Sequence, residues 1–330
     1  MGSPPTRIAM PEFHRIDTGV SRLRAAVEGD GPLVVMVHGF PESWYSWRHQ
    51  IGPVAAAGYR VAAIDVRGYG GSDKPYPIDA YSMEALTGDV VGVVETLAPG
   101  EKAILMGHDW GAPIVWNTAF TRPDRISAVA GLSVPFTGVP TRPFTDIFRE
   151  AFTSKGIFFY QDWFQKVGPP EAEAEGDVRD FLRKFYFGIA GEAPKGSWPL
   201  KGVDSTLLDG MMDPGVMPEW LSPADLDYYV EEFERSGFRG PINRYRNHER
   251  DFEWLQGFKG RKLDQPSLLI GGDKDPAFTG FGRIADPGAL MREHATDLRG
   301  VHILEGCGHW TQQERPAETT ALLLDWLRGL

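Results

Sequence analysis

One cysteine, Cys307, is all that the 330-residue chain contains. It permits no internal disulfide and no cysteine-based zinc or iron–sulfur cluster, and it fits a reducing compartment, so a cytoplasmic location is expected. Long hydrophobic runs are missing too. None approaches the roughly 20 residues that span a bilayer, and no apolar core of a signal peptide follows the first residues. Residues 1–6 match a myristoylation pattern at Gly2 and Thr6. Without a polybasic patch one acyl chain anchors weakly, so chance agreement is the preferred reading and no membrane insertion is expected. Positive charge is in deficit, with 34 Lys and Arg against 45 Asp and Glu and a formal net charge of -11. Nucleic acid and anionic lipid recruit Lys and Arg to replace counterions, so neither is expected as a partner, and a small neutral substrate is. Internal repeats and low-complexity tracts are absent as well.

Glycine and proline, by contrast, are abundant: 39 and 26 residues, about a fifth of the chain against a usual share of about 12%. They are scattered without a period, which suggests many turns and long loops. A hydrophobic share of 42% with 24% charged residues suits a soluble globular protein with a sizeable core. Residues 31–37, 59–64, 102–106 and 126–133 are short, continuously apolar runs bounded by Gly or Pro, the pattern of strands buried on both faces of a parallel sheet. Helix-length segments at 47–57, 82–97 and 113–120 lie between them, giving a βαβαβ alternation and hence a doubly wound α/β fold. The alternation resumes with strands at 267–271 and 301–304 and a closing helix at 317–328. The intervening stretch is rich in aromatic, Pro and charged residues, with helical windows near 177–187 and 225–235. A crossover needs roughly a dozen residues plus its helix, so this stretch is read as an inserted helical cap over the C-terminal edge of the sheet. The expected organisation is a core formed by 1–136 and 263–330, interrupted by a cap at 137–262.

Within Gly107-His108-Asp109-Trp110-Gly111 a strand runs directly into a helix through a turn flanked by glycines, the layout of a nucleophile elbow with Asp in place of Ser. A helix cap is the other reading of Asp109, and the segment alone leaves the two open. A carboxylate attacking a carbonyl would give a high-energy anhydride. Attack on a saturated carbon gives an ordinary ester, so the electrophile is expected to be an sp3 carbon bearing a leaving group. The carboxylate is already ionised at neutral pH, so a base is needed only to hydrolyse that ester. His309, in Gly306-Cys307-Gly308-His309-Trp310 after the last strand, is the candidate base. Asp275, in Gly271-Gly272-Asp273-Lys274-Asp275-Pro276, is the candidate that orients its imidazole, with Asp273 left as an alternative. The Phe40 N–H, in His38-Gly39-Phe40-Pro41, and the Trp110 N–H are candidates for an oxyanion hole. Cys307 is read as a small buried residue rather than a nucleophile. The run Asp65-Val66-Arg67-Gly68-Tyr69-Gly70-Gly71-Ser72-Asp73 lacks phosphate-loop spacing and is read as a structural turn.

His38-Gly39-Phe40-Pro41-Glu42-Ser43-Trp44, Arg67-Gly68-Tyr69-Gly70 with Ser72-Asp73-Lys74-Pro75, Gly107-His108-Asp109-Trp110-Gly111 and Gly308-His309-Trp310 together resemble the α/β-hydrolase-fold epoxide hydrolases. The resemblance is to the soluble type without an N-terminal phosphatase domain, and it runs from about Glu12 to the C-terminus. It implies an α/β-hydrolase fold with a mostly parallel central sheet flanked by helices and an inserted helical cap (lid) domain. It implies Asp109 as nucleophile, His309 as water-activating base and Asp275 as orienting acid, with no cofactor and no metal. It also implies two cap tyrosines that hold and protonate the epoxide oxygen. Tyr160 lies in a segment resembling the first and Tyr245 in one resembling the second. Such donors answer a physical need, because ring opening would otherwise release an alkoxide far more basic than a phenol of pKa about 10. His38, Pro41 and Trp310 are expected to line the substrate pocket. The expected partners are a small apolar epoxide and water, and a homo-oligomer is allowed. Haloalkane or haloacid dehalogenases share the fold and the aspartyl ester. However, the haloalkane group usually has Asn or another halide donor near Phe40, and the haloacid group has Arg where Trp110 stands. A non-catalytic ligand-binding protein of this fold is the alternative outside enzymes, although such proteins often lose a triad member, and all three candidates are present here.

Overall fold

The computed structural model describes residues 11–279 and 284–330, and the Gly2 and Thr6 pattern lies outside the described residues. Among them, eight strands form one sheet: β1 (Glu12–Asp17), β2 (Arg22–Glu28), β3 (Leu33–Val37), β4 (Arg60–Ile64), β5 (Ala103–His108), β6 (Ile126–Leu132), β7 (Ser267–Gly272) and β8 (Leu298–Leu304). Their spatial order is β1-β2-β4-β3-β5-β6-β7-β8. The β1–β2 and β2–β4 pairs are antiparallel, and every pair from β4 across to β8 is parallel. This is the α/β-hydrolase architecture, with the antiparallel hairpin at one edge as the part that the apolar runs do not announce.

Every residue of β3, β5 and β7 is buried, as strands covered on both faces require. Alternate side chains enter different clusters. Val35, Val37, Leu105 and Val129 join one, and Val34, Met36, Ile104, Met106 and Ile270 join the other. The short α1 (Ile51–Ala56) covers the second cluster through Ile51 and Val54. The first is covered by α2 (Met83–Leu97), whose N-cap Ser82 accepts the Ala85 N–H, and by α3 (Gly111–Thr121). The helix expected over 47–57 is divided: Trp44–Trp47 is a 3-10 turn, and α1 begins at Ile51, so that Pro53, which has no N–H to donate, falls in its first turn.

Between β6 and β7 the chain forms no named strand but seven α-helices joined by loops, two 3-10 turns and one isolated internal bridge between Ile157 and Gly202: α4 (Phe144–Ala151), α5 (Tyr160–Trp163), α6 (Pro169–Gly176), α7 (Val178–Gly188), α8 (Pro223–Ser236), α9 (Arg239–Tyr245) and α10 (His248–Leu255). Local signals start two of them. Asp177 caps α7, and Ser222 with Asp225 forms a capping box on α8 behind Pro223. These helices share the first cluster with the sheet: Phe164, Phe181, Phe185 and Phe238 from the cap pack in it with Phe40 and Tyr69. The chain ends with α11 (Pro276–Thr279), α12 (Pro287–His294), α13 (Thr311–Glu314) and α14 (Pro316–Arg328), the last joining α1 on the opposite face of the sheet.

Candidate active site

Strand β5 passes into α3 with only Asp109 and Trp110 between them, and Asp109 has φ 48°, a left-handed backbone that few residues other than glycine adopt. The turn is closely packed. A Cβ on Gly111 would lie 2.1 Å from the Val37 carbonyl oxygen, and one on Gly39 would lie 2.4 Å from Asp109 Oδ1. With no side chain at Gly39, the Phe40 N–H reaches Asp109 and donates to Oδ1 at 2.8 Å. Trp110 is the N-cap of α3, so its amide has no partner one turn back in that helix.

The other carboxylate oxygen of Asp109 faces the loop after β8. His309 Nε2 lies 3.2 Å from Asp109 Oδ2, and His309 Nδ1 lies 2.9 Å from Asp275 Oδ1. Asp275 is fully buried just beyond β7, where its Oδ1 also accepts the Ala277 N–H at 2.8 Å. Asp273, the other candidate for orienting the imidazole, is exposed and accepts the Gly306 N–H at 2.7 Å. Burial opposes charge on His309, but Asp275 and Asp109 overcome it and raise the imidazole well above its usual 6.5. Burial opposes charge on Asp109 too, but the hydrogen bond and charge of His309, helped by His108 and the Phe40 N–H, hold its carboxyl below 3.8. The two flanking carboxyl groups therefore favour a protonated imidazole at His309.

A cavity of about 330 Å³ lies above this trio, between sheet and cap. Asp109, Asp275, His309, Tyr160 and Tyr245 all line it, together with Phe40 and Trp110. The Tyr160 and Tyr245 rings meet edge-on with centroids 5.9 Å apart, and Trp110 meets Tyr245 edge-on at 5.3 Å. Gln165 ties their segments together, its Nε2 donating to the carbonyls of both Gln161 and Tyr245 at 2.8 Å. Burial and the nearby Asp109 charge raise both phenols, so each carries its proton at neutral pH. Among the described residues no three His, Cys, Asp or Glu side chains are grouped to hold a metal ion.

Three residues expected to line the pocket do not. His38 is buried behind it, with Nε2 accepting the Val66 N–H at 3.0 Å and Nδ1 at 2.8 Å from the Gly39 carbonyl, which fixes a neutral tautomer. The Pro41 carbonyl accepts the Tyr186 hydroxyl at 2.7 Å, and the fully buried Trp310 donates to the Tyr186 carbonyl at 2.7 Å. Pro41 and Trp310 each follow a cavity-lining residue in sequence but serve the joint between cap and core, and His38 braces two turns of the core.

Other polar groups lie close to the site that the sequence reading gave no role, Glu42 and His108 among them although both fall inside the motifs that carry the resemblance. His108 Nε2 donates to the His309 carbonyl at 2.7 Å, Ser133 donates to the same oxygen at 2.8 Å, and Glu42 Oε2 faces His108 Nδ1 at 2.8 Å. On the cap side, Gln161, Arg244, His248 and Asp251 line the cavity. Gln161 and Arg244 adjoin Tyr160 and Tyr245 in sequence and His248 follows Tyr245 by three residues, whereas Asp251 carries no such signal.

The alpha/beta hydrolase fold family model matches residues 32–168. Epoxide hydrolase B of Mycobacterium tuberculosis is 40% identical over 360 residues, covering 97% of this chain and 99% of the relative. Among solved structures, an epoxide hydrolase from an endophytic Streptomyces is 46% identical with a TM-score of 0.92, covering 97% of this chain and 96% of that one. Epoxide Hydrolase A from Mycobacterium thermoresistibile is 40% identical with a TM-score of 0.90, covering 97% and 99%.

Proposed function

The chain belongs to the α/β-hydrolase-fold epoxide hydrolases and is an epoxide hydrolase, and from that premise we propose how its residues divide the work. The observation that carries the assignment is the single run of contacts from Asp275 through His309 to Asp109, under a cavity that both cap phenols line.

Asp109 attacks a ring carbon of the epoxide, forming an ester bond as the carbon–oxygen bond breaks. The oxygen held by the Phe40 N–H stays behind as the ester carbonyl, and the oxygen facing His309 becomes the bridging one. Tyr160 or Tyr245 donates its proton to the departing oxygen, so no free alkoxide is released. Esterification also removes the negative charge of Asp109, one of the two that hold a proton on His309. The imidazole can then give up that proton, which through solvent restores the phenol that donated, and take one from water, while Asp275 keeps the ring in place. The resulting hydroxide adds to the ester carbonyl, the Phe40 and Trp110 N–H groups face the oxyanion, and collapse returns the Asp109 carboxylate and a vicinal diol.

The cavity is lined mainly by aromatic and aliphatic side chains, which supports a small apolar epoxide as substrate. Residues 137–262 are assigned as the cap and 1–136 with 263–330 as the core. Among the described residues no helix is long and apolar enough to cross a membrane, and with one buried cysteine this supports a cytoplasmic protein.

A single turnover in isotopically labelled water tests the covalent route. The first diol should carry unlabelled oxygen from Asp109, and label in that diol would overturn the assignment. Asp109→Ala should make no diol.

A further inference from the structure

Gln161 faces two ways across the roof of the cavity. Its Nε2 lies 2.9 Å from the Tyr160 hydroxyl oxygen, and its Oε1 lies 3.1 Å from His248 Nε2. An amide nitrogen can only donate, so the Tyr160 oxygen accepts there and the phenol's own proton is directed elsewhere. An amide oxygen can only accept, so His248 must carry a proton on Nε2. Burial and the Arg244 charge push His248 down to about 3, so the ring is neutral and holds one proton. Its position decides the direction of the chain. With that proton on Nδ1 instead, the bare Nε2 would call for the amide NH2, Gln161 would turn over, and Tyr160 would donate to the amide oxygen.

We propose that His248 and Gln161 are positioning residues that hold Tyr160 as proton donor to the opening epoxide, through hydrogen bonds directed from His248 to Gln161 to the Tyr160 oxygen. The proposal rests on the epoxide-opening reading of the site. Donation from Gln161 favours the phenolate, opposing the burial and Asp109 charge that resist it, and so makes Tyr160 a stronger acid as the alkoxide develops. The surroundings hold the geometry. His248 opens α10 and packs against Trp110 and Phe148 with centroids 5.7 and 5.6 Å away, and the Gln161 carbonyl is tied to Tyr245 through Gln165.

The near-isosteric Gln161→Glu tests the direction. A carboxylate offers only oxygens, so it accepts from both His248 and Tyr160 and draws the phenol's proton away from the substrate. Single-turnover experiments that resolve formation of the Asp109 ester from its hydrolysis should show formation slowed at least about tenfold, within the roughly 10²–10⁴-fold due to a positioned acid. Hydrolysis should proceed at the wild-type rate. The loss should shrink for epoxides bearing electron-withdrawing groups, whose departing oxygen needs less protonation. His248→Leu should slow the same step, and His248→Gln, which restores an N–H donor, should recover part of it. If Gln161→Glu does not fold, Gln161→Met must give the same step-specific loss. Ester formation at the wild-type rate, or equal losses in both steps, overturns the relay. A wild-type enzyme that forms no Asp109 ester overturns the underlying reading instead.

Discussion

His309 can act as a base only if something first releases its proton, because Asp275 and Asp109 together raise it well above 6.5. In the proposed mechanism the ester supplies that release by removing one of the two charges. Asp109→Asn reproduces the charge change without a substrate, so the His309 imidazole should titrate at a lower pH in that variant than in the wild type, as read by NMR. An unchanged titration would separate His309 from Asp109 electrostatically. His309→Gln leaves the nucleophile and both phenols in place, so it should form the ester and then stall, with mass spectrometry detecting the adduct and turnover reduced about 10²–10⁴-fold. At this scale the sequence was legible where chemistry demands a residue type at a strand end, as at Asp109 and His309. It was not legible for Gln161 and His248, which meet only once α5 and α10 are packed. Pro41 and Trp310 mark the limit of adjacency, since each directly follows a site residue and does not line the cavity.

At the scale of the element, the site depends on three strand ends and the close approach of two turns. Gly39 sits at that approach, and a methyl there would collide with the Cβ and carboxylate of Asp109. Gly39→Ala should therefore abolish diol formation while the protein still folds. Gly88 is the contrast. It lies exposed within α2, a Cβ there would meet nothing within 4 Å, and helical glycine is disfavoured against alanine by about 0.5–1 kcal/mol. Gly88→Ala should raise stability by about that amount in urea denaturation with activity unchanged. The buried parallel strands were legible because each is a continuous apolar run between turn residues. β1 and β2 were not, since Arg22, Arg24 and Glu28 break the apolarity of β2, and its place comes from pairing with β4. In the cap, α7 and α8 carry clear N-caps, whereas α9 contains a glycine and a proline and is fixed by packing.

At the scale of the molecule, the cavity exists only while cap and core stay joined, and polar contacts supplement the shared apolar cluster at that joint. Arg24 on β2 bonds Glu232 on α8 at 2.6 Å, and the Asp251 carboxylate accepts the Met83 N–H at 2.7 Å. Asp225 is the most instructive contact. Its Oδ1 lies 3.2 Å from Arg48 Nε and accepts the Tyr45 hydroxyl at 2.8 Å, while Oδ2 caps α8 through Ser222. Burial opposes its charge, but Arg48, Ser222 and Tyr45 prevail and hold the carboxyl below its usual 3.8. A carboxyl depressed in the folded state stabilises fully above its unfolded value, and the contribution is lost as pH falls through the folded one. Asp225→Asn should thus lower stability at neutral pH by about 1.5–3 kcal/mol, the usual range for hydrogen bonds to a charged group. The difference between wild type and variant should narrow as pH drops below 3.8, because the wild-type side chain is then itself neutral. Urea denaturation at neutral and acid pH measures both, and a difference independent of pH would assign the loss to helix capping or packing rather than to the charge that joins cap and core.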